Sequence, residues 1–296
     1  MTARATLPLA HILLALAVVG IWGTNFVVIR VGLDHWPPFL FGALRFTLAA
    51  LPLVFFVPRP RVPWRVLAAY GVLIGSGQFA LLLFAMQGHI SPGLASLVLQ
   101  CQVFFTIGLA LAISGERVRL YQIGALLLAA SGIAVIARHT DGATTPLGLS
   151  LCVLGAFCWA CGNIVAKQAR IANLLHFVVW SSLFSAPPLL ALALVFEGPR
   201  IVGSSLVTAD LGDWGTLLWQ TVGNTLFGYS AWGWLLSRHP AALVTPMALL
   251  VPVFGMGAST LLLGEPLQPW KLAAAGLVMS GLVIGLLLPR FVPARA

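Results

Sequence analysis

Neutral polar and aromatic side chains occur in the middle of long apolar segments of this chain. An amide in such a place offers hydrogen-bond donors and an acceptor without a fixed charge, which suits an uncharged or zwitterionic ligand. Aromatic rings add apolar contact and attract an ammonium group. The alternative is that the amides only join helix to helix. The side chains that we predict to bind a ligand are Trp22, Asn25, Gln78, Gln100, Trp159, Asn163, Tyr229, Ser230 and Thr245.

The segments that carry these side chains have the length of a membrane crossing. Of the 296 residues, 60% are hydrophobic and 8% are charged, and the mean hydropathy of +1.01 is far too high for a soluble domain of this size. Apolar runs of about 17 to 25 residues predict an all-α integral membrane protein. We expect ten transmembrane helices, with an irregular loop near 196–213, at 9–29, 38–57, 66–87, 92–113, 120–137, 146–167, 173–195, 214–237, 241–263 and 270–288.

The net charge of +9 is spread over alternate loops. Nucleic-acid binding needs cations gathered on one exposed face with aromatic side chains between them, so no nucleic-acid partner is expected. With the N-terminus inside, the other side holds only Arg30, Arg138, Arg200 and Lys271. The positive-inside rule therefore predicts that both termini are cytoplasmic. Eleven cations then fall on the inner side: Arg4, Arg59, Arg61, Arg65, Arg117, Arg119, Lys167, Arg170, Arg238, Arg290 and Arg295.

A pattern of Gly-Glu, an apolar run and Ser-Gly occurs twice. Gly115-Glu116 with Ser131-Gly132 returns as Gly264-Glu265 with Ser280-Gly281. An odd number of predicted spans separates the copies, so the second unit must enter the bilayer inverted. We predict two units, 1–140 and 141–296, with a ligand site at the midplane between them. Each Gly should adopt the left-handed conformation at a helix end, and each Glu should face the N-terminus of the following helix.

Three short motifs carry a resemblance to a known family: Trp22-Gly23-Thr24-Asn25-Phe26, Gly115-Glu116 before the fifth span and Gly264-Glu265-Pro266 before the tenth. With ten spans, the chain resembles the EamA-type exporters of the drug/metabolite transporter superfamily. Within it, the chain is similar to the YddG-type amino acid exporters of the bacterial inner membrane. The resemblance implies two inverted five-helix repeats around a central cavity, lined by spans one, three, four, six, eight and nine.

The same resemblance implies a function. We expect alternating-access export of aromatic and other neutral amino acids and related metabolites, by a protein that is monomeric in the lipid bilayer and needs no cofactor. Export of other small metabolites or drugs is the alternative. A remote alternative is an intramembrane serine protease built on Ser76, although the histidines lie at span ends, where none can act as its base.

No catalytic or metal site is expected. Cys158 and Cys161 have the spacing of a redox pair or of half a zinc site, but no second cysteine pair or histidine cluster accompanies them, so we expect small buried helix residues. The predicted spans contain no Asp or Glu to relay protons. Arg45 is the one charge deep within a span, and we expect it to snorkel outward or to pair with Asp34 in preference to a ligand role, which stays the alternative.

Overall fold

A computed structural model describes residues 7–114, 120–139, 144–169, 171 and 173–287. This part of the chain is helical, and no β-strand occurs within it. The first five helices follow one another with short connections. They are α1 (Leu9–Gly32), α2 (Pro38–Phe55), α3 (Trp64–Met86), α4 (Pro92–Ile113) and α5 (Leu120–Arg138).

Six further helices complete the described part. They are α6 (Pro146–Gln168), α7 (Leu174–Glu197), α8 (Pro199–Thr208), α9 (Leu211–Leu218, Trp219–Phe227 and Gly228–Arg238), α10 (Thr245–Leu263, preceded by the helical turn Ala241–Val244) and α11 (Pro269–Leu287). The prediction of an irregular loop near 196–213 is wrong, because most of this segment is helical and forms the end of α7, α8 and the start of α9.

Nine helices in the described ranges are long and apolar enough to cross a membrane, one fewer than the ten expected. The helix that is not among these nine is α9, which occupies the place of the predicted eighth span. Its middle turn carries Gln220, Thr221, Asn224 and Thr225 within nine residues. These polar side chains lower its hydropathy below that of the other crossing helices. The chain is a multi-pass membrane protein, built of helices that place polar side chains inside the bundle.

Two helices, α3 and α9, contain wide helical turns in their middle. These π-helical segments are Gly71–Gln78 and Trp219–Phe227. Two others, α4 and α10, contain the tight 3-10 segments Leu99–Cys101 and Thr245–Leu250. Such departures from α-helix free backbone groups, which neighbouring helices must satisfy in an apolar bundle.

The repeated Ser-Gly pairs mark the crossing of α5 and α11. A Cβ added to Gly132 would lie 2.9 Å from the carbonyl oxygen of Ala274, and one added to Gly281 would lie 2.5 Å from that of Ala125. Each glycine therefore lets its helix approach the backbone of the other, as small residues do in membrane bundles. The Ser-Gly repeat is a packing feature of these two helices.

The second Gly-Glu pair ends α10. Gly264 has a φ of 67° in the left-handed region, which confirms the predicted helix end. The Glu265 carboxylate accepts a hydrogen bond from the Gly93 amide at 3.1 Å and another from the Ser91 hydroxyl, both at the N-terminus of α4. The N-terminal amide that Glu265 binds is therefore that of α4, whereas the following helix, α11, is reached only through the Lys271 side chain. Gly115 and Glu116 lie outside the described residues.

Glu265 also binds side chains of its own half. It accepts from the Ser259 hydroxyl and pairs with the buried Lys271 ammonium at 2.8 Å. Partial burial disfavours the charged carboxylate, but the bonds from Lys271, Ser259 and Ser91 outweigh it and hold the pKa of Glu265 below its ordinary value. This one side chain joins α4 to α10 and α11. We call Glu265, Ser91, Ser259 and Lys271 the Glu265 cluster.

Glu197, at the end of α7, plays a similar part on the same face of the bundle. Its carboxylate oxygens accept from the amides of Phe39 at 2.6 Å and Leu40 at 3.1 Å. These amides lie in the first turn of α2, where a negative charge is favoured by the helix dipole and the free N–H groups. Glu197 therefore joins α7 to α2.

We expect that replacing Gly281 by Leu will push α5 away from α11 and destabilise the fold by about 1–3 kcal/mol. The matched control is Gly276→Leu in the same helix, because nothing lies within 4 Å of a Cβ added there. Melting temperatures of the two variants in detergent test this. Equal melting temperatures for both variants would contradict the crossing.

We expect Glu265→Gln to lower stability at neutral pH by about 3 kcal/mol, because it leaves the buried Lys271 without its counter-charge. The pKa of Glu265 lies below its ordinary value of 4.5, so the carboxylate stabilises the fold fully above that pH and less as the pH falls through the folded-state pKa. The melting difference between wild type and variant should therefore shrink in acid. Asp34→Asn, an exposed partner of Arg30, is the control and should change little; a pH-independent difference for Glu265→Gln would oppose the assignment.

Candidate functional site

A cavity of about 130 Å³ lies in the middle of the bundle. It is bounded by α1, α3, α4, α6, α9 and α10, which occupy the places of the six spans that the resemblance implied. Most of its wall is apolar or aromatic, with a few amides. The lining residues are Trp22, Asn25, Phe26, Ile29, Gln78, Phe79, Leu82, Ser96, Leu99, Gln100, Gln102, Trp159, Asn224, Tyr229, Ala248 and Val251.

An aromatic corner forms where α1 meets α9. The Trp22 ring lies 5.7 Å from that of Tyr229 and 5.2 Å from that of Trp232. Its indole N–H donates to the carbonyl oxygen of Asn224 at 3.2 Å. That carbonyl belongs to the wide turn of α9, so the bond both satisfies the turn and orients the Trp22 ring.

Two of the predicted amides bond to neighbouring helices as well as line the cavity. Asn25 Oδ1 accepts from Gln220 Nε2 at 2.7 Å, which joins α1 to α9. Gln100 Nε2 donates to the carbonyl oxygen of Ala248 at 3.2 Å, which joins the tight segments of α4 and α10. Part of the hydrogen-bonding capacity of both amides is therefore used for packing.

Two other amides on the wall are available to a ligand. Within the described residues, the side chains of Gln78 and Asn224 have no hydrogen-bond partner, although both are largely buried. A buried amide without a partner is costly. Facing a cavity, Gln78 and Asn224 present donors and acceptors that a bound molecule can satisfy.

Three of the nine predicted residues do not line the cavity. Asn163 donates to Gln102 Oε1 at 2.8 Å and so lies behind Gln102, which occupies the wall. Ser230 donates to the carbonyl oxygen of Leu226 in its own helix. Thr245 begins the tight segment of α10. The cavity brings together Trp22, Asn25, Gln78, Gln100, Trp159 and Tyr229, and the ligand role of all nine stays a prediction.

The apolar residues of the cavity wall were not predicted from the sequence, because a residue type such as Phe or Leu occurs equally in the packed core of the bundle. A spacing signal exists in α1 and α3. Each has an amide, then apolar residues one and four positions later: Asn25 with Phe26 and Ile29, and Gln78 with Phe79 and Leu82. Residues at i, i+1 and i+4 lie within an arc of about 100° on a helix, the width of one face of a cavity-lining helix. Once an amide is placed on the wall, its neighbours at these positions follow.

The cavity is closed at the end of the bundle that holds the Glu265 cluster. There the first half of α4 packs against α1 and α10, and a Cβ added to Gly255 would lie 2.5 Å from the Ser96 hydroxyl oxygen. Beyond the cavity, α4 and α10 have different main partners: Gln102–Ser114 packs chiefly on α6 and to a smaller extent on α11, whereas Thr245–Leu250 packs on α1 and α11. The cavity is therefore directed toward the face where residues 114 and 245 lie.

The prediction for Arg45 is wrong. Asp34 pairs with Arg30, whereas Arg45 is buried and bonds to Thr225 of α9. The Ser76 hydroxyl donates to the carbonyl oxygen of Ser185 in α7 at 2.9 Å. No described histidine is among the hydrogen-bond partners of Ser76, so the geometry offers no nucleophile and base.

A bundle of membrane-length helices around a small cavity lined by amides and aromatic rings defines a membrane transporter for small molecules. The model of the EamA-like transporter family matches residues 9–138 and, a second time, residues 146–287. The chain belongs to the EamA-like transporter family, and it is a transporter and not an enzyme.

Several curated proteins align with about nine tenths of this chain. It is 43% identical to a "probable amino-acid metabolite efflux pump" of Salmonella typhimurium, over 92% of this chain and 93% of that one. It is 41% identical to the protein of the same name in Escherichia coli, with the same coverage. A "probable terminal-alkyne amino-acid exporter" of Streptantibioticus cattleyicolor is 27% identical over 89% of each chain. A crystal structure that is 19% identical superposes with a TM-score of 0.63 over 95% of this chain and 98% of the other, so the fold is shared.

Replacing an amide that bonds to a neighbouring helix should lower the stability of the protein more than replacing an amide that only faces the cavity. Asn25→Ala removes the acceptor of Gln220 and should cost about 1 kcal/mol, whereas Gln78→Ala removes a side chain without a described partner and should leave the melting temperature in detergent nearly unchanged. A loss for Gln78→Ala as large as that for Asn25→Ala would show that Gln78 is a packing residue.

Proposed function

We propose that this protein exports amino acids, aromatic and other neutral ones, and related metabolites across the bacterial inner membrane by alternating access. The observation that carries the proposal is the pair of unpartnered amides, Gln78 and Asn224, on the wall of a mid-bundle cavity. Relatives that align with more than nine tenths of the chain carry the name "probable amino-acid metabolite efflux pump", which supports the same substrate class.

The chemistry of the wall suits a zwitterion with an apolar side chain. The amides of Gln78 and Asn224 can donate to a carboxylate and accept from an ammonium group. The faces of Trp22, Trp159 and Tyr229 can hold the ammonium group or an aromatic side chain. The described lining residues include no Lys, Arg, Asp or Glu. A polyamine or a polyphosphate would therefore lack a direct counter-charge on this wall.

The inverted repeat, with units 1–140 and 141–296, is supported by the family model, which matches the chain twice. The irregular segments that contribute to the cavity wall occur in corresponding helices of the proposed halves. Wide turns lie in α3 and α9, the third and eighth crossings of the proposed repeat, and tight segments lie in α4 and α10, the fourth and ninth. We therefore count α9 as a tenth crossing helix despite its polar middle turn.

The packing of the helices supports the same relation. In the first half α4 packs on α6, and in the second half α10 packs on α1. Likewise α7 packs on the wide turn of α3, and α2 packs on the wide turn of α9. In the proposed repeat α4 corresponds to α10, α6 to α1, α7 to α2 and α3 to α9. Each contact in one half therefore has its counterpart in the other. A pseudo-twofold axis between two inverted units produces such pairs.

The proposed orientation places both termini in the cytoplasm. The cations then gather on the inner side, including Arg117, Arg119 and Arg238. In this orientation the cavity is directed toward the cytoplasm and the Glu265 cluster closes the outer side. The described conformation is then the one that would load substrate from the cell. We propose that the protein works as a monomer in the lipid bilayer.

Counterflow in proteoliposomes tests the proposal. Purified protein should exchange labelled phenylalanine, tryptophan and other neutral amino acids well above empty liposomes. Gln78→Ala should lower kcat/KM by about tenfold, the value of one or two lost hydrogen bonds to a charged group. Asn163→Ala should have a smaller effect because Gln102 lies between Asn163 and the cavity.

The control variant is Ser150→Ala, an exposed residue of α6 whose hydroxyl bonds within its own helix. It should exchange amino acids like wild type. Absence of amino acid exchange by wild-type protein would overturn the proposal. Exchange of other labelled metabolites or of a cationic drug in the same vesicles would then support the alternative substrate classes.

A further inference from the structure

Arg45 is a cation in the middle of α2 that is only 2% exposed. Its Nε and Nη2 atoms both donate to the Thr225 hydroxyl oxygen, at 3.2 and 3.0 Å. Within the described residues, its Nη1 atom has no hydrogen-bond partner. The guanidinium therefore has unused donor capacity inside the protein.

The charge of Arg45 is also uncompensated. The ion pairs of the described part join Arg30 to Asp34, His35 to Asp213 and Lys271 to Glu265, and Arg45 is in none of them. Burying an unpaired cation in an apolar bundle is costly. Charged residues at membrane depth usually serve a ligand or a transport path.

Helix packing does not require an arginine at this place. On the other side of the bundle α7 makes the equivalent contact with the wide turn of α3 through small neutral side chains. There the Ser185 hydroxyl donates to the Gly71 carbonyl oxygen at 3.0 Å, and Ser76 donates to the Ser185 carbonyl oxygen. Serines therefore suffice where a helix packs on a wide turn.

The guanidinium of Arg45 lies one aromatic ring away from the cavity. Its central carbon is 3.9 Å from the centroid of the Phe79 ring, and Phe79 lines the cavity. Its hydrogen-bond partner Thr225 directly follows Asn224, which lines the cavity as well. Phe79 thus covers the cation and offers it a weak cation–π interaction in place of an anion.

We propose that Arg45 recognises the carboxylate of the transported amino acid, and that the Phe79 ring covers the guanidinium while the site is empty. The proposal rests on the proposed function and adds the group that selects for a carboxylate. A carboxylate can bind a guanidinium through two parallel hydrogen bonds, for which the unpartnered Nη1 supplies a donor. The ammonium group of the same substrate would lie against the aromatic corner of Trp22 and Tyr229.

The test compares phenylalanine with phenylalaninamide, which lacks the carboxylate charge. Dissociation constants come from ligand-dependent melting shifts of purified protein in detergent. Wild type should bind the acid on the order of tenfold more tightly than the amide, and Arg45→Met should reduce this ratio to about one. Arg45→Lys should keep part of the preference, and Arg30→Met, which changes an exposed arginine, should keep all of it.

A second variant covers the case in which Arg45→Met does not fold. Phe79→Leu removes the covering ring and should tighten binding of phenylalanine more than that of the amide. An unchanged acid-to-amide ratio in Arg45→Met, or equal changes for both ligands in Phe79→Leu, would overturn the proposal. Counterflow by the wild-type protein distinguishes failure of the proposed function from failure of the proposal for Arg45. If no amino acid exchanges, both proposals fail. If amino acids exchange but Arg45→Met keeps the wild-type acid-to-amide ratio, only the role of Arg45 is removed.

Discussion

The structure depends on satisfying polar groups inside an apolar bundle, where water cannot do so. The wide turns of α3 and α9 show how this is met. Ser185 donates to the Gly71 carbonyl oxygen beside one turn, and Trp22 donates to the Asn224 carbonyl oxygen of the other. Because a neighbouring helix supplies each donor, the turns can stay irregular. The cavity amides Gln78 and Asn224 lie on these turns, so the same irregularity that needs support also forms the site.

Buried or half-buried carboxylates follow the same constraint and lie away from the cavity. Glu197 accepts from two backbone amides in the first turn of α2, and Glu265 accepts from one backbone amide and one hydroxyl at the start of α4. Free N–H groups at a helix start need acceptors, and a carboxylate supplies them while its charge is favoured by the dipole. Negative charge is thereby fixed at one end of the bundle. The described cavity wall carries none.

The sequence alone predicted the class, the helices around the cavity and the left-handed Gly264, since these depend on composition, on the family pattern and on local backbone preference. It did not predict the partner of Glu265, which lies at the start of α4, distant in sequence. Whether an amide faces the cavity or a neighbour depends on the rotation of its helix, so Asn163 and Gln102 could not be distinguished. Arg45 was expected to snorkel outward or to pair with Asp34, but its guanidinium is buried and donates to Thr225 in the turn of α9, which lies far away in sequence.

Export in the proposed orientation requires α4 and α10 to separate at the end that the Glu265 cluster holds. That cluster binds the start of α4 to both α10 and α11 through the amide of Gly93 and the hydroxyl of Ser91. Because it is made of a buried ion pair and several hydrogen bonds, opening it costs free energy that the empty cavity cannot supply. A bound zwitterion can supply it only if it interacts better with the outward-open state than with the described one. If Arg45 binds the substrate carboxylate as proposed, uncovering it is a step that a substrate with a carboxylate offsets, so selectivity and opening would be coupled through the same charge.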